Sequence, residues 1–139
     1  MGSEAEQPEA AAEPSPPTGL AVCAVPGRGR GVVALRTFRA GSVLERAPVL
    51  VVPRAQLAPL RGTKLDDYWF WWDETHNACA LGWASLYNHA CPANATFQLD
   101  RAGEVLVITA VRDIAPGTEV TINYHGRPDD PAPVWFPTT

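Results

Sequence analysis

Apolar residues recur in short runs, and the runs are broken by Gly, Pro, Asn and Asp. Leu20 to Val25, Val32 to Thr37 and Ser42 to Val52 read as strands, rich in β-branched residues. Ala78 to Tyr87 is a continuous buried strand-like run. Thr96–Leu99 and Val105–Ala110 flank Asp100-Arg101-Ala102-Gly103 and predict a hairpin. Glu119 to Tyr124 follows a Pro116-Gly117 turn and reads as a terminal strand. Pro48 lies inside the third run and marks it as an edge strand or a bulge, because proline removes a ladder donor. Ala40-Gly41 is expected to turn the second run back on the third as a hairpin. Arg54 to Lys64, with Pro59 and Gly62, reads as a loop with a short helical turn. The expectation is a mostly β fold of several short sheets with few short helices.

Composition supports that pattern and divides the chain. Fourteen prolines and eleven glycines in 139 residues favour turns over long helices. Residues 1–18 hold four glutamates, no Lys or Arg and no aromatic residue. Such a tail buries too little apolar surface to offset its ordering entropy, so disorder is expected over 1–18 and one domain over 19–139. Residues 127–139 read as a short, extended, proline-rich extension. No apolar run reaches the length of a membrane helix, and the acidic start does not resemble a signal peptide. No membrane partner is therefore expected; an Arg-Gly nucleic-acid element would repeat and Gly27 to Gly31 does not, so no direct nucleic-acid partner is expected either, and a homodimer remains open. Cys23, Cys79 and Cys91 are widely spaced. They form no zinc-ribbon pattern, so no metal is expected, and an odd count fits an intracellular, reducing compartment, cytoplasm or nucleus. Cys23 and Cys79 are expected to be small buried hydrophobes.

The net charge of −4 conceals a polarity. Gly19–Lys64 carries eight basic residues and one acid, Glu45, expected to pair with one of them; Leu65–Thr139 carries ten acids and three basic residues. Charge of this kind can give one face for an anionic group and another for a cationic partner, or only two solvated surfaces.

Three stretches carry candidate chemistry. Gly27-Arg28-Gly29-Arg30-Gly31 lets the backbone approach a ligand closely. It precedes a strand, not a helix, so it is not a dinucleotide fingerprint. Asn88, His89, Cys91 and Asn94 cluster hydrogen-bonding and nucleophilic side chains where a core should lie. Tyr68 to Trp72 is five consecutive aromatics flanked by Asp66, Asp67, Asp73 and Glu74. It is either a small satellite core or a channel that guides an alkylammonium by cation–π attraction.

These blocks resemble the SET domain, the S-adenosylmethionine-dependent protein-lysine methyltransferase fold, in its minimal viral and bacterial form. The family's Asn-His-Ser-Cys-x-Pro-Asn stands here as Asn88-His89-Ala90-Cys91-Pro92-Ala93-Asn94. Its Glu-Leu-Thr-Phe-Asp-Tyr stands as Glu119-Val120-Thr121-Ile122-Asn123-Tyr124, and its early Gly-x-Gly as Gly29-Arg30-Gly31. Ala90, the early Pro92 and Asn123 depart from the pattern. The resemblance covers residues 20 to 126 and implies a C-terminal pseudoknot, with the last strand threaded beside Asn88–Asn94.

The resemblance also implies roles. Gly29, Arg30, Gly31, Asn88, His89 and Tyr124 would bind S-adenosylmethionine, with main-chain groups of Asn88-His89 on the adenine. Asn88's side chain and Arg28 or Arg30 would lie near the amino-acid end. Tyr124 would hold the lysine amine as the catalytic residue, and S-adenosylhomocysteine would be the product. Tyr68, Tyr87, Ile122 and Trp135 would line the lysine channel, and Trp135 and Phe136 would close over it in place of the family's cysteine-rich tail. Ile122, where the family often has Phe or Tyr, implies room for di- or trimethylation. The implied partner is a basic protein or peptide, a histone first. Two alternatives stand beside this one: a SET-fold module that binds a basic peptide with little turnover, and a Cys91/His89 hydrolase.

Overall fold

The computed structural model describes residues 12–132. Among them, nine strands in two sheets are joined by turns and three 3-10 helices (Arg54–Leu60, Lys64–Tyr68 and Ala84–Leu86). Strands β1 (Leu20–Val25) and β2 (Gly29–Ala34) form a hairpin from Leu20↔Ala34 to Val25↔Gly29. Gly27 and Gly29 close it at φ +79° and +77°, a region L side chains rarely enter. The expected hairpin through Ala40-Gly41 does not form. The free edge of β2 takes β9 (Glu119–Ile122) instead, pairing Val32 with Val120, and both of these valines are buried. Burying an aliphatic side chain is worth about 1.5–3 kcal/mol, so this long-range pairing prevails over a local turn. On the far edge of β9, β6 (Asn88–His89) runs parallel and completes the order β1-β2-β9-β6.

The second sheet is built on β3 (Val43–Pro53), which occupies its centre in the order β4-β5-β3-β8-β7. The outer members are β4 (Trp69–Trp71), β5 (His76–Ala80), β7 (Ala95–Asp100) and β8 (Val105–Ala110). Pro48 therefore lies in a central strand, and the bulge falls at Val43/Glu45 instead. Residues up to Pro48 pair with β8, and residues from Val49 pair with β5. The proline stands where β3 changes partner. Its carbonyl still accepts the Leu81 N–H at 2.9 Å, and Val49 donates to Glu104. The expected strand from Ala78 to Tyr87 stops at Ala80, and a turn at Gly82 (φ +63°) leads to the Ala84–Leu86 helix. The core joins both sheets: Leu106 and Ile108 of β8 are buried with Val32 and Ile122.

Two further expectations change. Residues 12–18 lie on the body: Ser15 bridges to Arg46, Ala12 donates to Asp100 at 2.9 Å, and a side chain at Gly103 would strike the Ala12 carbonyl. Residues 1–11 and the 133–139 part of the extension, with Trp135 and Phe136, lie outside the described residues. Cys23 is exposed, because its position on β1 faces outward from the two-sheet core; Cys79 is half-buried.

Candidate active site

The segment after Leu86 is fastened to β9 by side chains that imitate backbone. Asn88 and His89 pair with Thr121 and Ile122, and the Ala90 N–H continues the ladder to the Ile122 carbonyl at 3.0 Å. The substitution at Ala90 thus leaves the pairing intact. Asn94 Oδ1 accepts the Thr121 N–H at 2.8 Å, and Asn94 Nδ2 donates to the Glu119 carbonyl at 2.9 Å. Ala93 donates to the Pro128 carbonyl, so the same loop also holds the chain beyond β9. The C-terminal strand is clasped along its edge and again past its end. Asn123 is buried; its amide donates to the Asp130 carbonyl at 2.8 Å, a bond a carboxylate could not make.

A cavity of about 900 Å³ opens between this clasp and the second sheet. One wall holds Arg28, Gly29, Arg30, Asn88, His125 and Gly126; the other holds Tyr68, Trp69, Phe70, Trp71, Phe97 and Leu99. Ile122 and Tyr124 lie on the same cavity, as does Tyr87.

Each sequence-derived candidate among the described residues has a definite place. Gly29 and Arg30 face the cavity, and the space beside Gly29 is open. Gly31 does not line it. A Cβ there would stand 2.5 Å from Glu119 Oε2 and 2.6 Å from Asn88 Nδ2, so Gly31 is what lets those two side chains meet. Asn88 donates to Glu119 Oε2 at 2.6 Å and to the Arg30 carbonyl at 3.0 Å, tying the glycine loop to β6 and β9. His89 is buried; its carbonyl accepts Arg28 Nη1 at 2.7 Å, and its Nδ1 accepts the Tyr124 N–H at 3.0 Å. Burial holds the imidazole below its ordinary pKa, and the nearby His125 and Arg28 act in the same sense. The ring is thus the neutral acceptor that the Tyr124 N–H requires.

Tyr124 donates its hydroxyl proton to the Tyr87 carbonyl at 2.9 Å. Burial, chiefly, and the Tyr68 phenol push its pKa up to about 12. Tyr68 and Ile122 line the cavity as expected. Tyr87 does so only in part: its ring is buried and its hydroxyl turns away to Glu45 at 2.8 Å. Trp135 lies outside the described residues. Glu45 is itself buried and takes the Tyr87 hydroxyl and the Trp83 N–H, not the basic partner its neighbours in sequence suggested. Burial raises its pKa.

Several cavity residues carried no signal in the sequence. Phe97 and Leu99 alternate along β7 and share one face, yet nothing local says that the face meets Phe70, whose ring lies edge-on to Phe97 at 5.1 Å. Glu119, which ties Asn88 from behind the cavity and does not line it, stands out in the sequence only as the first residue of a motif. Of the acidic flank, Asp67 alone lines the cavity. Asp66 accepts the Gly62 N–H, and Asp73 closes a turn onto Thr75 and His76.

Comparison with known proteins agrees with this geometry. The SET-domain family pattern matches residues 29–125. A Schizosaccharomyces pombe protein named histone-lysine N-methyltransferase, H3 lysine-37 specific, is 30% identical over 110 residues, which is 78% of this chain and 71% of its relative. A crystal structure of a Plasmodium falciparum protein assigned as a histone methyltransferase superposes with a TM-score of 0.64 at 20% identity, covering 76% of this chain and 92% of the other. That likeness is one of fold. With the matched pattern spanning both walls of the cavity and the clasped strand between them, the chain belongs to the SET-domain family of protein-lysine methyltransferases.

Proposed function

We propose that this cavity transfers a methyl group from S-adenosylmethionine to a lysine side chain of a basic protein, with a histone tail as the first substrate. One observation carries the reading: the Tyr124 hydroxyl, its proton committed to the Tyr87 carbonyl, stands on a cavity with a polar wall and an aromatic wall. Bound S-adenosylmethionine supplies an electrophilic methyl group on a sulfonium. The polar wall fits that cofactor. Gly29 leaves open space, and Arg28 and Arg30 on the same wall offer guanidinium groups for its carboxylate.

The chain's own residues then have separable tasks. With its proton held, the Tyr124 oxygen presents lone pairs to an amine N–H and so orients the nitrogen for in-line attack. A phenol whose pKa is about 12 stays protonated near neutrality, so Tyr124 orients the amine and does not deprotonate it. The amine must arrive neutral, and the aromatic wall favours this by excluding water, which disfavours the ammonium. Tyr68, Trp69 and Phe70 would sheathe the alkyl stem, and their faces attract the cation as it enters.

The histone assignment draws support from the name of the Schizosaccharomyces pombe relative and from the carboxylate of Asp67 beside the aromatic wall. The exposed free thiols of Cys23 and Cys91 suit a reducing compartment, cytoplasm or nucleus. The test is radiolabelled methyl transfer onto a histone peptide array. Incorporation at a lysine is expected, with a KM that rises with salt, because exposed charges are screened beyond about 8 Å at physiological ionic strength. Asp67→Asn should flatten that rise about two- to fivefold, the scale of one exposed pair. No transfer to any lysine peptide or protein would refute the proposal.

A further inference from the structure

Glu45 is a buried charge that the reaction above does not use. It is 1% exposed, and no ion pair among the described residues includes it. Its carboxylate receives two donors, the Trp83 N–H on Oε2 and the Tyr87 hydroxyl on Oε1, each at 2.8 Å. The backbone is shaped around it. Gly82 takes φ +63°, and any side chain there would collide with Glu45 Oε2. A buried carboxylate and a glycine at positive φ both cost stability, and a phenylalanine at position 87 with an apolar residue at 45 would fill the same core at no such cost.

Tyr87 is held at one end and holds at the other. Glu45 fixes its hydroxyl, and its main-chain carbonyl accepts the Tyr124 hydroxyl at 2.9 Å. Asn88 follows at once and is tied to Glu119 and Arg30, so Tyr87 cannot shift along the chain to compensate. We infer that Glu45 is a positioning residue for methyl transfer: through Tyr87 it sets the carbonyl that orients the Tyr124 oxygen toward the substrate amine. The inference rests on the methyltransferase reading of the cavity and deepens it.

The test measures kcat, peptide KM, S-adenosylmethionine Kd and Tm for Tyr87→Phe and Glu45→Leu, each alone and combined with Tyr124→Phe. Each single change should lower kcat on the order of tenfold, as sub-ångström misplacement of a reacting group does, with KM and Kd close to parental values. Glu45→Gln should retain most of the rate. Its amide oxygen can accept from Trp83 while its NH₂ donates to a Tyr87 hydroxyl turned to accept. Once Tyr124→Phe has removed the hydroxyl, Tyr87→Phe should cost nothing further in kcat. Equal losses in both backgrounds, or parental kcat in Tyr87→Phe, would overturn the inference. If a single variant fails to fold, the double variant Glu45→Leu with Tyr87→Phe removes the carboxylate and the hydroxyl together, so that only the Trp83 N–H loses its acceptor. It should show the same selective loss of kcat, and a parental rate there would refute the role. A parent chain that transfers no methyl group would overturn the functional reading itself, whereas an active parent with additive losses would overturn only the role of Glu45.

Discussion

The two walls of the cavity are built by opposite means. The wall from β2, β6 and β9 is held by directional bonds: Asn88 to the Arg30 carbonyl, Asn94 to both Glu119 and Thr121, His89 to the Tyr124 N–H. The facing wall, from residues 68–71 with Phe97 and Leu99, is held by ring packing, and the buried Trp69 Nε1 finds no hydrogen-bond partner among the described residues. A directional bond tolerates few substitutions, because a lost partner leaves a buried donor or acceptor unsatisfied. Packed rings tolerate any set of similar volume. The polar wall suits a cofactor that never varies, and the aromatic wall suits a substrate channel that can be retuned.

The largest test falls on the line between them. Tyr124→Phe removes one hydroxyl and little volume, and should lower turnover at least on the order of a hundredfold, in the range for loss of a well-aimed polar group. Affinity for S-adenosylmethionine, measured by calorimetry, should hold; a collapse in that affinity would assign Tyr124 to the polar wall alone. Next, Asn88→Ala removes the tie among loop, β6 and β9. Calorimetry should show at least about tenfold weaker cofactor binding, roughly 1.4 kcal/mol, with peptide KM little changed. The reverse pattern would exchange the tasks assigned to the walls.

A smaller effect, on product and not on rate, is expected from Ile122. Its side chain is buried against the cavity and carries no hydroxyl to anchor a water beside the amine. The parent should reach di- or trimethyl-lysine, and Ile122→Tyr should shift the product toward monomethyl, read by mass spectrometry of a single-lysine peptide. A parent that stops at monomethyl with cofactor in excess would mean that another side chain closes the space.

The smallest expected effect is on stability against pH. His89 has its folded pKa depressed by burial. Below about 6.5 the unfolded chain takes up a proton that the folded chain resists. Stability is therefore full above that pH and falls as pH drops toward the folded value. Glu45, with its pKa raised, acts in the opposite sense nearer 4.5. Tm measured from pH 7.5 downward should decline first through His89. His89→Asn, which sets Oδ1 near the place of Nδ1, should flatten that decline; an unchanged slope would clear His89.

The contrast between the walls also governs what the sequence could reveal. Asn88, His89, Asn94 and Tyr124 were legible because bonds between side chain and backbone fix spacing within short segments. The aromatic run is legible in the sequence as a cluster that is either a core or a channel, but its partners Phe97 and Leu99 are not, since they come from a strand joined to it only through topology. Glu45 stands out in the sequence for its isolation among basic residues, yet its partners are the Trp83 N–H and the Tyr87 hydroxyl. Linear neighbours say little about what a central strand buries. The β2–β3 hairpin failed for a related reason: the edge that local sequence assigned to β3 was claimed by β9, far along the chain.

That last strand has a consequence for how the molecule is made. β9 lies between β2 and β6, both of which precede it in the chain. On a ribosome its two neighbours emerge first and leave a slot whose rims are open ladder edges. Parallel and sequence-distant pairings form slowly, because loop closure must come before the contacts that reward it. Until β9 enters, Asn94 has no backbone to clasp, His89 has no N–H to accept, and Tyr124 has not reached the cavity. The open ladder edges and the empty site thus share one remedy, since the same insertion of β9 closes the first and completes the second.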